Sequence, residues 1–217
     1  MSSARGARSW LRAVPSPAPT EEPKPRAAAY SDDEIIEAVA RGDGAVAGEL
    51  YDRLYRTVDQ TLCRILGRRE SDHEDLMQSA FEQVIKTLTT RRFAGACSLR
   101  TWASSVATHV GLNALRARRR ERSVFDHSEA DAPSVTPSSD DPERNASSRG
   151  EIERIRGELA EMSSGRAEAL FLHDVLGHDL AEIAALTGVS IAAAQSRLVR
   201  GRHELMERLD RDKRRRP

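Results

Sequence analysis

The chain has 217 residues, with 34 Lys plus Arg balanced by 34 Asp plus Glu, 39% apolar residues and only 4% aromatic ones. That composition excludes collagen-like, disulfide-stapled and membrane-spanning classes, since no apolar run approaches the roughly 20 residues a bilayer span needs. Two cysteines, Cys63 and Cys97, are too few for a disulfide or zinc framework, so a reducing cytoplasm is the expected compartment.

Proline placement divides the chain. Residues 1–28 carry Arg5, Arg8 and Arg12, then Pro15, Pro17, Pro19, Pro23 and Pro25, with no apolar segment of the kind a secretory signal requires. This is read as a disordered tail. Proline breaks helix interiors, and none occurs between residues 26 and 132 or between 143 and 216. Two helix-permissive blocks are therefore predicted, over 29–122 and 149–210. Between them, residues 123–148 are rich in Ser, Asp and Pro and predict a flexible linker. Residues 211–217 form a basic tail.

In the first block, Ser31 to Glu34 and Ser71 to Glu74 have capping-box spacing and predict helix starts. Ile35, Ile36, Val39, Leu50, Leu54, Val58, Leu62 and Ile65 give two amphipathic helices. A third follows with Leu76, Ala80, Phe81, Val84, Ile85 and Leu88 on one face and Asp75, Gln78 and Glu82 on another. A fourth carries Trp102, Val106, Val110 and Leu115 into the run Arg116–Arg120. In the second block, Ser148 to Glu151 and Asp179 to Glu182 predict two more starts. Ala184, Gly188 and Val189 have helix-turn-helix spacing, with Gly188 supplying the left-handed turn. The last helix is predicted over Ile191 to Leu209. It offers Gln195, Ser196, Arg197, Arg200 and Arg202 to base edges and phosphates.

Charge is segregated although the total is zero. Residues 91–122 carry +7, the linker −5, and residues 197–217 +5. Two basic segments separated by an acidic linker suit two contacts with a polyanion. A metal-dependent hydrolase would have to use His73-Glu74-Asp75, His173-Asp174 and His178-Asp179; the last two pairs are five apart with Gly177 between them, a poor geometry for one helix-face site, and these histidines read as cap-proximal or surface residues. Cys63 reads as core and Cys97 as a small loop residue. No metal or cofactor is predicted.

At these residues the chain resembles the sigma-70 family of bacterial RNA polymerase sigma factors, in its short extracytoplasmic-function (ECF) group. Asp75-Leu-Met-Gln-Ser-Ala-Phe-Glu-Gln-Val84 resembles the helix that grips the polymerase clamp. Thr101-Trp102 through Arg116–Arg120 resembles the segment that melts and reads the minus-ten element. Glu182-Ile-Ala through Gly188-Val-Ser to Arg202 resembles the part that reads the minus-thirty-five element. They lie in the family's order within the two blocks, which together make up about 160 residues.

The resemblance implies an all-α fold: a four-helix domain (region 2, 29–122) and a helix-turn-helix domain (region 4, 149–210), joined by the acidic linker. It implies no catalysis by the chain itself, and core RNA polymerase, promoter DNA and an anti-sigma protein as partners, with no small-molecule substrate. Asp75, Gln78 and Glu82 would bind core polymerase. Trp102, His109, Asn113, Arg116, Arg118, Arg119 and Arg120 would bind the minus-ten DNA. Ser190, Ala193, Gln195, Ser196, Arg197, Arg200 and Arg202 would bind the minus-thirty-five DNA. The chain departs from the family at several positions: His109 and Asn113 stand where the family usually has Asn and Asp, Ala103 and Ser104 replace larger side chains next to Trp102, and Ala192-Ala193-Ala194-Gln195 replaces a Gly-Thr-Val-Lys-like run. A stand-alone helix-turn-helix regulator is the alternative reading. It accounts for Glu182–Arg202 but not for the Asp75–Val84 face or the second Arg-rich helix. The 26-residue linker has a flexible span of about 28 Å and a stretched limit of roughly 90 Å. It can bridge promoter elements two DNA turns apart, ~70 Å, only when extended.

Overall fold

The computed structural model describes residues 30–93, 95–125 and 142–215, and every regular element among them is helical. The tail at 1–28, the middle of the linker and the last two residues lie outside the described residues. Helix α1 is Asp32–Ala40, followed by a 3-10 turn at Gly44–Val46. Then come α2 (Ala47–Leu66), α3 (His73–Thr89) and α4 (Leu99–Phe125). The second block has α5 (Pro142–Glu161) and α6 (Ser164–Leu170), which runs into a wider π-type turn at Phe171–Val175. It ends with α7 (Leu180–Thr187) and α8 (Ile191–Arg215).

Two of the predicted capping boxes form. Ser31 Oγ accepts from the Glu34 amide while Glu34 accepts from the Ser31 amide at 2.7 Å, and Asp179 and Glu182 make the same reciprocal pair at the start of α7. The other two do not. Helix α3 has Asp72 at its N-cap without a side-chain cap, because Arg118 of α4 takes the Asp72 carboxylate at 2.6 Å. Helix α5 begins at Pro142, so Ser148 lies inside it rather than at its start. Proline is acceptable there because the first helical residue needs no amide partner and its fixed φ already suits a helix. With α4 reaching Phe125, helices overrun both ends of the stretch read as linker. Helix α8 likewise continues past Leu209 to Arg215.

The first block packs α1–α4 around Ile35, Leu50, Leu54, Val58, Leu62, Phe81, Val84, Leu88 and Leu99. Small residues let α4 lie close to its neighbours: Ala103 and Ala107 are fully buried. At Gly111 an added Cβ would stand 2.7 Å from Ile65 Cδ1, so only a hydrogen fits where α2 and α4 cross. Asp32 fastens two ends of the bundle, accepting from Arg53 at 2.8 Å and from the Leu99 amide at 3.2 Å.

The two blocks do not stand apart. Ile65, Leu66 and Leu112 of the first share one core with Leu159, Met162, Ala167, Leu170, Phe171 and Leu198 of the second. Arg156 of α5 crosses the seam and donates to the Ile65 carbonyl at 2.8 Å, satisfying an end of α2 that its own helix leaves open. A smaller core of Ala169, Leu172, Ile183, Ala184 and Ala194 holds the helix-turn-helix together.

Candidate nucleic-acid interface

Helix α3 buries His73, Met77, Ala80, Phe81, Val84 and Leu88. The opposite face therefore presents Asp75, Gln78 and Glu82 to solvent. Gln78 donates to Glu82 at 3.1 Å, which fixes two of the three side chains relative to each other. This is an acidic, preformed helix face.

The start of α4 is set by Ser98, whose hydroxyl accepts from the Thr101 amide at 3.0 Å. Trp102 is half-buried, its ring 4.9 Å from that of Phe93 and tilted by 46°. The indole thus closes the core together with Phe93. Further along, His109 Nε2 and Asn113 Nδ2 are 3.0 Å apart, and Arg116 donates to Asn113 Oδ1 at 3.1 Å. Three predicted DNA-reading residues form one hydrogen-bonded ladder along a single face.

Arg118, expected at the minus-ten DNA, is engaged within the chain. It is largely buried and bridges Glu70 at 3.1 Å and Asp72 at 2.6 Å. A helix turns 100° per residue, so Arg118 points about 200° away from Arg116. Its position makes it a clamp on the loop between α2 and α3. Its bond to Asp72 is the main cause holding that carboxyl below the usual carboxylate range. Arg119 is half-exposed and pairs with Glu161 of α5 at 2.5 Å. Arg120 is exposed.

In the helix-turn-helix, Gly188 has φ +67° and its amide bonds back to the Ala184 carbonyl. Val189 bonds the same carbonyl at 3.1 Å. A side chain would strain this turn, which sets the angle between α7 and α8. Ser190 caps α8 by accepting from the Ala193 amide at 3.2 Å. Gln195 and Arg200 are exposed, and Ala193, Ser196 and Arg197 are half-buried. Arg202 pairs with Asp174 of the π-type turn, its Nε donating at 3.0 Å. That bond is the main reason the Asp174 carboxyl lies below its ordinary value, and it raises Arg202 in turn.

Several partners have no sequence signal. Glu168 of α6 is pushed above the ordinary carboxylate range by burial, which outweighs the nearby positive groups of His109, Arg197 and Arg116. It therefore faces residues from both predicted DNA-binding surfaces at once. Arg116 in turn is lowered by burial, and its Nη2 has no hydrogen-bond partner. His178 spans the seam, with Nε2 3.1 Å from Ser104 Oγ on α4 and Nδ1 3.3 Å from Glu182. No periodicity in one chain reveals which acid meets which arginine across a seam.

Comparison with known proteins places this geometry. Residues 50–121 match the family pattern described as Sigma-70 region 2, and residues 152–214 match that of Sigma-70, region 4. The chain is 29% identical over 178 residues to the RNA polymerase sigma factor NccH of Alcaligenes xylosoxydans xylosoxydans, covering 80% of this chain and 92% of that protein. It is 26% identical over 183 residues to the ECF RNA polymerase sigma factor SigC of Mycobacterium tuberculosis, covering 82% and 94%. Among solved structures, CnrH in complex with the cytosolic domain of CnrY aligns over 83% of this chain and 98% of that one, at 24% identity and a TM-score of 0.48. With both matched regions present in order on one chain, the protein belongs to the ECF group of the sigma-70 family of RNA polymerase sigma factors.

Proposed function

We propose that this chain binds core RNA polymerase and directs promoter recognition, strand opening and transcription initiation. The observation that carries this is the pairing of two matched regions on one chain, the first with an acidic helix face and a separate basic helix. A stand-alone regulator needs only the second. Asp75, Gln78 and Glu82 on α3 form the polymerase contact. Trp102, with the ladder His109–Asn113–Arg116 and with Arg118, Arg119 and Arg120, takes the minus-ten strand. Aromatic and arginine side chains suit single strands because bases stack on the ring while guanidinium groups hold phosphates. Ser190, Ala193, Gln195, Ser196, Arg197, Arg200 and Arg202 dock α8 into the major groove of the minus-thirty-five element.

In the same proposal the chain is cytoplasmic, catalyses no reaction of its own and is held in check by an anti-sigma protein. No helix among the described residues is long and apolar enough to cross a membrane.

Run-off transcription with core RNA polymerase on a promoter library tests the function. Transcripts that start at defined promoters only when the protein is added are the expected result. Their absence, with tight duplex binding by the protein alone, would establish the stand-alone regulator instead.

A further inference from the structure

Near the end of α2, Asp59 and Cys63 stand four residues apart and so share a helix face. The loop at 67–72 folds the chain back, and His73 begins α3 opposite them. Asp59 and His73 are each only 6% exposed. The carboxylate oxygen, the thiol sulfur and an imidazole nitrogen all lie within 4.8 Å of one another. Three donor groups converge on a single oxygen: Asp59 Oδ1 is 2.8 Å from His73 Nε2, 3.1 Å from Arg69 Nε and 3.8 Å from Cys63 Sγ. His73 Nδ1 is buried and has no partner, so the ring's polar contact runs through Nε2 toward the cluster.

We propose that Asp59, Cys63 and His73 form a three-donor site for a borderline divalent transition metal such as Zn²⁺, closing the turn between α2 and α3. Sulfur, nitrogen and carboxylate oxygen are the donor set such ions take, with bonds of about 2.0–2.3 Å. In a tetrahedral arrangement those bond lengths put neighbouring donors roughly 3.3–3.8 Å apart. The sulfur–oxygen separation already meets this, and the nitrogen–oxygen contact needs to open by only about half an ångström. Cys63 is partly exposed, which gives an entry path. Arg69 is the group to be displaced. Its side chain is 63% exposed, and its guanidinium now holds both oxygens of Asp59. On binding, the Cys63 thiol proton passes to solvent, and the neutral imidazole ligates through Nε2 with its one N–H on Nδ1, so the ligands are thiolate, imidazole and carboxylate. The fourth position is left to water or another exchangeable ligand.

The test uses the full-length, reduced, metal-free protein titrated with Co²⁺. The expected result is binding of about one equivalent with a thiolate-to-cobalt charge-transfer band, abolished by stoichiometric Zn²⁺. Cys97→Ser leaves the band intact. Cys63→Ser and His73→Gln each weaken binding by at least tenfold, with circular dichroism confirming that both variants fold. Arg69→Ala tightens it by removing the competing cation. Zn²⁺ raises Tm in the wild type and not in Cys63→Ser. No charge-transfer band, or a band that survives Cys63→Ser and is lost in Cys97→Ser, would overturn the assignment. Should Cys63→Ser misfold, His73→Gln with undiminished Co²⁺ affinity would overturn it as well.

Discussion

Glu168 is a carboxylate that burial disfavours in its charged form, set among positive groups that only partly offset the cost. Its folded-state value lies above the ordinary one, so its unfavourable contribution is fully present at neutral pH and is relieved as pH falls through the raised value. Glu168→Gln removes the charge while keeping the shape. We expect Tm at pH 7 to rise by about 2–4 °C, the shift that roughly 1 kcal/mol gives in a chain of this size. The gain over wild type should vanish in acid, and calorimetry at pH 7 and pH 4 checks both halves. The Arg116–Arg120 run shows why single residues were only partly legible. Sequence adjacency groups these arginines, but helical geometry scatters them. Arg116 joins the His109–Asn113 ladder, Arg118 turns back to clamp Asp72, and Arg119 reaches Glu161. The residue types were readable, but their targets depend on the third dimension.

Helix identity was far more legible than helix ends. The 3.6-residue apolar period is written along α2, α3 and α8 because each has one buried face. Caps failed where the helix starts elsewhere than the motif implies: at Asp72, one residue past Ser71 and held by Arg118, and at Pro142, six before Ser148. The π-type turn at Phe171–Val175 has no local signature, since its residues are ordinary helix formers fitted between two packed cores. Two predictions belong to this scale. Asp179→Ala deletes the capping box of α7 and should cost about 1 kcal/mol. Duplex binding to a minus-thirty-five element should weaken while affinity for core polymerase is unchanged; a gel-shift titration beside a polymerase pull-down reads both. Gly111→Ala forces a methyl onto Ile65 and should destabilise the chain by about 1–3 kcal/mol, as overpacking does. Urea unfolding gives the number, and a neutral result would mean that the Ile65 Cδ1 methyl swings aside at low cost.

At the scale of the whole molecule, both blocks and their order along the chain were legible, because proline and charge partition so sharply. The core they share was not, because Ile65, Leu66 and Leu112 read equally well as interior to their own helices. In the packed form Arg119 and Arg202 are each held by an acid of the same chain, and Arg116 and Arg197 face Glu168. Use of both DNA surfaces on promoter elements ~70 Å apart requires the blocks to separate. Spin labels at Gln83 on α3 and Met206 on α8, both exposed, should report a longer distance in the promoter complex than in the free protein. An unchanged distance would mean that the packed form itself engages DNA. The reach of Arg156 across the seam bears on how the chain melts. A fragment cut at the linker would lose the guanidinium that closes α2 and would bare three large aliphatic side chains to water. The four-helix half alone should therefore melt at a lower temperature than the intact chain and self-associate through those side chains, which calorimetry and size-exclusion chromatography of the two would show.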